Sequence, residues 1–215
     1  MATMLGYVAT DASLDPELLH RALRLANEKS FNRITVDSDT STNDAIMLVA
    51  TGGSGVVIDE PLFEQFVEQL SLIFIDLAQA IIRDGEGATK FVSVIVDSAR
   101  DSAEALAVAY TIAESPLVKT ALTASDPNWG RILAAIGRAG VADLNVNLVQ
   151  LQLNGVLIAQ QGARATTYNE ELGQQAMASE DIEIQVSLHR GQASETVWTT
   201  DLSYDYVRIN AEYRT

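Results

Sequence analysis

The sequence predicts an α+β protein whose sheets are covered by helices on their outer faces. Three observations carry this. Lys90–Asp97 (KFVSVIVD) and Ile182–Leu188 (IEIQVSL) alternate with the period of half-buried strands. Other stretches repeat their apolar residues at helical spacing behind capping signals, as after Asp15-Pro16-Glu17. Within 146–159, Asn154-Gly155 separates two strand-like runs, a strong hairpin signal. Strands and helices come in blocks, not in strict alternation. With no long linker, low-complexity tract or internal repeat, residues 1–215 read as one unit.

Taken in order, residues 4–10 (MLGYVAT) predict a buried strand. Leu18, Leu19, Ala22, Leu23 and Ala26 then mark an amphipathic helix ending near Lys29. Arg33–Val36 is a short strand, Asp37–Asn43 a polar loop, and Ala45–Ala50 a second strand closed by Gly52-Gly53-Ser54-Gly55. Asp59 and Pro61 open the longest helix, to about Arg83, apolar nearly all round its later turns and so expected between layers. Asp101 with Glu104 resembles a capping box for a helix reaching Glu114. Leu117–Leu122 predicts a short strand or turn, Pro127–Ile136 a helix, Tyr168–Met177 a helix and Glu195–Ser203 a strand. The tail, Tyr204–Thr215, is mixed but holds enough aromatics to dock.

Composition narrows the function. The net charge of −15 repels phosphate backbones, which argues against nucleic acid as a partner. The absence of cysteine removes disulfides, thiolate zinc sites and a cysteine nucleophile, and fits a cytoplasmic protein. Leu70–Ile82 is interrupted by Ser71, Asp76 and Gln79, so no transmembrane span is expected, and the start lacks the basic region of a signal peptide. His20 and His189 are the only histidines, a poor supply for a Ser-His-Asp triad. His20 falls in a charged helical stretch and reads as a surface residue.

Four segments concentrate polar chemistry. Arg83–Lys90 (RDGEGATK) sets Glu86 between two glycines, where it either binds an ammonium group or relays a proton, or simply ends a helix in water. Ser125–Arg131 (SDPNWGR) sets an indole and a guanidinium beside a helix start; it is either a carboxylate site or a capped helix with a core tryptophan. Asp37–Asp44 is rich in oxygen but lacks the glycine and terminal glutamate of a calcium loop, so no metal is expected there. At the start, Met1-Ala2-Thr3-Met4-Leu5 puts a hydroxyl just ahead of an apolar run. Cutting the bond before Thr3 would give that residue a nucleophile and a free amine together, the amine serving as base with a pKa of about 7.7–8.0.

ATMLGYVATDA, FNRITVDSDTSTNDA, IRDGEGATKF, SPLVKTAL, DPNWGRILAA and DYVRINAEYRT, in this order, resemble the β chain of ornithine acetyltransferase, the glutamate N-acetyltransferase of arginine biosynthesis. The resemblance spans nearly the whole chain and is weakest over about residues 141–180. It implies a layered α/β/β/α sandwich of the ornithine acetyltransferase and DmpA type. It implies a precursor that cuts itself at Ala2-Thr3 and a nucleophilic Thr3. Glu86, Asn210 and the final Thr215 join Thr3 as implied substrate contacts. The implied reaction moves acetyl from N2-acetyl-ornithine to glutamate through an acetyl-threonine, with no cofactor and with acetyl-CoA as a possible further donor. An α chain, in an α2β2 heterotetramer, would supply the oxyanion hole and a substrate-binding lysine. If Ala2 stays bonded, the Thr3 nitrogen is an amide and no base; either the precursor junction is retained or the β chain has its own start. An amidohydrolase or aminopeptidase with the same nucleophile, and a non-catalytic binding subunit, remain the alternatives.

Overall fold

The computed structural model describes residues 4–213 and divides them between two units with separate cores. The first comprises residues up to Ile34 together with Asp39–Ile81; the second comprises Thr35–Ser38 and Ile82 onward.

In the first unit, strand β1 (Leu5–Thr10) is followed by the short β2 (Ser13–Leu14) and helix α1 (Pro16–Glu28). Asp15 caps α1 by accepting from the Glu17 N–H, with Pro16 at the first helical position, as the sequence predicts. Strand β3 (Ile34–Thr35) lies where the chain passes between units. Strand β4 (Ala45–Ala50) pairs in parallel with β1, Leu5 facing Ala45 and Thr10 facing Ala50, and β5 (Val57–Ile58) pairs with β2. Helix α2 (Glu60–Arg83) lays one stripe, Phe63, Val67, Leu70, Phe74 and Ala78, into this unit's core, where Phe31 meets Phe74 edge-on at 5.6 Å.

Two expectations change here. β1 is not buried: it alternates, leaving Leu5 and Tyr7 exposed, while Met47 and Val49 are bare on β4. Nor is α2 enclosed all round, because Leu62, Leu72, Ile73 and Leu77 are exposed. Among the described residues α2 is the one helix long and apolar enough to cross a membrane by length and composition. Its buried stripe, with Glu64, Glu68 and Asp76 exposed opposite, is the pattern of a helix lying on a core.

The second unit is built on a seven-stranded mixed sheet. Strand β6 (Phe91–Ala99) is followed by helices α3 (Ser102–Ala113), α4 (Pro116–Thr123) and α5 (Trp129–Gly137). The hairpin β7 (Gln150–Leu153) and β8 (Val156–Gln160), then β9 (Ala163–Arg164), α6 (Glu170–Met177), β10 (Asp181–Ser187), β11 (Ala193–Thr200) and α7 (Tyr204–Glu212) complete it. The strand order is β3-β11-β6-β10-β7-β8-β9. β10 runs parallel to β6 (Ile184 beside Val94), whereas β11 is antiparallel to it (Val197 beside Val94). The inward residues of β6 and β10, Val92, Val94, Val96, Ile182, Ile184 and Val186, are fully or almost fully buried with Val108 and Ile112 of α3. Asn154 and Gly155 both take left-handed backbone angles (φ 44° and 76°), the geometry of a tight hairpin turn.

Leu117–Leu122 is helix, not strand or turn: Ser115 caps it through the Val118 N–H and Pro116 occupies its first position. The helix expected from Pro127 begins at Trp129 with Asn128 as its cap. The tail expected as mixed forms α7, capped by Ser203 through the Tyr206 N–H. Asp101 caps α3 as expected, but the reciprocal arm is displaced: Glu104 Oε1 accepts from the Arg100 N–H.

Phe74 fills the first unit's core with no exposed surface. Its truncation to alanine is expected to cost about 3–5 kcal/mol in denaturant unfolding, with little change at the exposed Leu72→Ala.

Candidate functional site

The polar segment that the sequence singles out becomes the joint between α2 and β6. Arg83, the last residue of α2, forms a two-pronged pair with Asp181 of β10 (2.6 and 3.0 Å), and its guanidinium lies 3.8 Å over the Phe91 ring. The Arg83 hydrogen bonds hold the Asp181 carboxyl below its ordinary range, ahead of the opposing effect of burial. Between these anchors the chain turns through Gly87, whose φ of +65° places it in the left-handed region. A Cβ there would sit 2.5 Å from the Tyr206 nitrogen, so only glycine lets α7 approach.

That approach is what completes the site. Ser203 Oγ donates to the Gly87 carbonyl (2.6 Å) while accepting the Tyr206 N–H that starts α7. Tyr206 Oη donates to Asp37 Oδ2 (2.8 Å). One turn later, Asn210 Nδ2 donates to Glu86 Oε2 (2.7 Å) and to the Tyr206 carbonyl (3.0 Å). Glu86 and Asn210, 124 residues apart in sequence, thus meet, both half-buried. A carboxylate held on one oxygen by an amide keeps the other for a cationic ligand.

Beneath this pair lies a network the sequence analysis missed. Asp201, just beyond β11, is 3% exposed and accepts from the N–H groups of Thr89 (2.8 Å) and Lys90 (3.0 Å) and from the hydroxyls of Thr89 (2.6 Å) and Thr123 (2.9 Å). Lys119 of α4, 2% exposed, donates to Thr199 Oγ1 (2.9 Å) and to the Thr200 carbonyl. Burial pushes the Lys119 ammonium down to about 8, against the pull of Asp201, Asp37 and Glu114. A lysine amid Leu117, Val118, Ala121 and Leu122 was the available signal, since an ammonium on an apolar helix face needs acceptors from elsewhere. Lys90 spans in the other direction, its ammonium donating to the carbonyls of Met177 and Ser179.

The remaining candidates fall as follows. Ala2, Thr3 and Thr215 lie outside the described residues. Met4, next to Thr3, donates its N–H to Asp44 Oδ1 (2.9 Å) and accepts from the Ala45 N–H. Arg131 donates to the Leu117 carbonyl and to Thr120 Oγ1, Asn128 caps the helix and Trp129 packs on the core, the arrangement of a capped helix with a core tryptophan. His20 is exposed. The Asp37–Asp44 loop bonds to its own chain, Ser38 N–H to Thr35 Oγ1 and Asn43 N–H to Ser41 Oγ. Among the described residues no group of three or more His, Asp or Glu side chains is placed to hold a metal ion.

Comparison with known proteins gives a consistent result. The profile of the ArgJ family matches residues 1–215. The arginine biosynthesis bifunctional protein ArgJ of Pseudomonas syringae pv. tomato is 57% identical over 219 residues, covering 100% of this chain and 54% of the relative. Its counterpart in Neisseria meningitidis serogroup A is 52% identical over 218 residues with the same coverage. The crystal structure of the Bacillus halodurans protein of that name matches with a TM-score of 0.92 at 41% identity, over 98% of this chain and 100% of the solved one. That likeness, with the mixed sheet above, establishes the α+β fold class expected from the sequence. The chain spans about half the length of the curated relatives it matches.

The buried lysine gives a pH signature. Lys119 binds its proton less tightly folded (about 8) than unfolded (10.5), so the unfolded chain holds the extra proton between these values and stability rises with pH there. Below pH 8 that contribution is absent. In urea unfolding, the wild type is expected to gain up to about 3 kcal/mol over Lys119→Met between pH 8 and 10.5.

Proposed function

The chain belongs to the ArgJ family, and on that premise we propose that it is the nucleophile-bearing β portion of a cytoplasmic acetyltransferase of arginine biosynthesis. It moves acetyl from N2-acetyl-ornithine to glutamate. The observation that carries this reading is the 2.7 Å hydrogen bond between Asn210 and Glu86. It joins two of the residues to which the family resemblance gives substrate contact and leaves one carboxylate oxygen for an ammonium group.

The chemistry follows from a threonine at a free amino end. Cleavage between Ala2 and Thr3 leaves an α-amine that accepts the Thr3 hydroxyl proton as Oγ attacks the acetyl carbonyl. The tetrahedral adduct collapses by breaking the amide C–N bond, and the ornithine nitrogen leaves with that proton. The acetyl group stays as an ester on Thr3. The glutamate amine then attacks the ester carbonyl, loses a proton to the Thr3 amine, and departs acetylated as Oγ is reprotonated. Each barrier is lower than direct transfer between two amines. Acetyl-CoA would load the same ester by thioester cleavage. Glu86 and Asn210, with Thr215, orient the amino-acid portion of the substrate, and no cofactor is needed. Oxyanion donors, worth roughly 2.7–4 kcal/mol each, come from the α chain.

Two observations support a second chain. The curated relatives are nearly twice as long as this one. The parallel pair β1–β4 also leaves Leu5, Tyr7, Met47 and Val49 bare on one face, whereas parallel strands ordinarily have both faces covered. The α portion of the precursor fits this role, in an α2β2 assembly.

Mass spectrometry of the two-chain protein incubated with acetyl-ornithine and no acceptor is expected to find one acetyl group on Thr3. An unmodified Thr3, or full turnover by Thr3→Ala, overturns the reading. Acetate release matching ornithine release in the presence of ample glutamate would make the protein a hydrolase instead. Glu86→Gln is expected to raise KM for acetyl-ornithine about tenfold or more, with a smaller effect on kcat.

A further inference from the structure

Asp201 and Lys119 are buried charges beside the Glu86 turn that the acyl-transfer chemistry leaves unused. Burying charge is costly unless it is fully hydrogen-bonded, and for stability alone an apolar pair of the same volume serves as well. What a buried carboxylate offers beyond stability is direction, because its acceptors fix the donors around it in space.

The donors around Asp201 come from two places. Thr89 N–H, Thr89 Oγ1 and Lys90 N–H belong to the segment leaving the Glu86 turn, three and four residues after that carboxylate. Thr123 Oγ1 belongs to α4, one helical turn after Lys119. Asp201 itself stands two residues before Ser203, whose hydroxyl grips the Gly87 carbonyl and caps α7. One carboxylate therefore fastens the strand that follows Glu86 to the chain that leads into Asn210. Lys119 secures that chain from the far side through Thr199 and Thr200, and its own carbonyl accepts the Leu202 N–H (3.3 Å).

We propose that Asp201, backed by Lys119, is a positioning residue that holds Glu86 and Asn210 in register to receive the amino-acid substrate. It touches no reacting atom and acts through Thr89 and Ser203. This rests on the substrate contacts proposed above for Glu86 and Asn210. A site of this kind tolerates little slack, since a small misplacement of a substrate-binding group weakens binding out of proportion to the stability lost.

Thr89 offers the cleanest test, because its side chain is exposed and its replacement leaves the core intact. In the two-chain enzyme, Thr89→Val is expected to raise KM for acetyl-ornithine about fivefold with kcat within a factor of about two, and Thr89→Ser, which keeps the hydroxyl, to restore it. Asp201→Asn, which loses the charge but keeps the shape, is expected to raise KM about tenfold. Where Glu86→Gln raises KM, unchanged KM in Thr89→Val and Asp201→Asn overturns the proposal, even if both variants melt earlier. Crystal structures of the two variants give a readout independent of turnover. A lengthened Asn210–Glu86 contact supports the positioning role and an undisturbed one overturns it. If Glu86→Gln itself leaves KM unchanged while that contact shifts in Asp201→Asn, it is the substrate-contact reading that fails and not the positioning.

Discussion

The second unit depends on one electrostatic constraint: a carboxylate excluded from water must be met on both oxygens. Asp201 is met four times, twice by backbone N–H groups and twice by hydroxyls. Because those donors sit on the entry to β6 and on α4, satisfying one anion obliges the Glu86 turn, α4 and the end of β11 to come together. The left-handed Gly87 and the cap at Ser203 then let α7 close over the turn without collision. Each contact is modest, but none can relax alone without stranding a buried polar group.

Lys119 shows the same logic from the cationic side. Its ammonium is satisfied by β11 and not by a carboxylate, so no direct ion pair forms between the two buried charges. The nearby acids, Asp201, Asp37 and Glu114, only temper the cost of burial. An arrangement that hydrogen-bonds two opposite charges separately spends stability on geometry, here that of the Glu86 turn and the chain leading into α7.

Much of the fold was legible in the sequence because it rests on local signals. Asp15-Pro16 and Asp101 announced their helices, Asn154-Gly155 its hairpin, and the alternation in 90–97 and 182–188 the central strands. Short apolar runs were harder. Leu117–Leu122 fits strand or helix equally by pattern, and Ser115-Pro116 was the deciding punctuation. The tail's helix turned on Ser203 in the same way. The exposure of β1 was not legible, since burial depends on what else covers a strand. Of the site, Glu86 stood out as a carboxylate between glycines; docking of the aromatic-rich tail brings Asn210 to a defined place, and its substrate role came from the family resemblance. Asp201 gave no local sign, because its partners lie up to 112 residues away and a lone aspartate after a strand is commonplace.

The pairing of β1 with β4 also has a mechanical consequence. Among the described residues, the ladder bonds of β1 run to β4, beginning with the Ala45 N–H on the Met4 carbonyl. A change in the chain ahead of Met4 would therefore break none of these bonds. Whatever happens to the backbone ahead of Met4, the strand from Leu5 onward keeps the pairing that fixes its place.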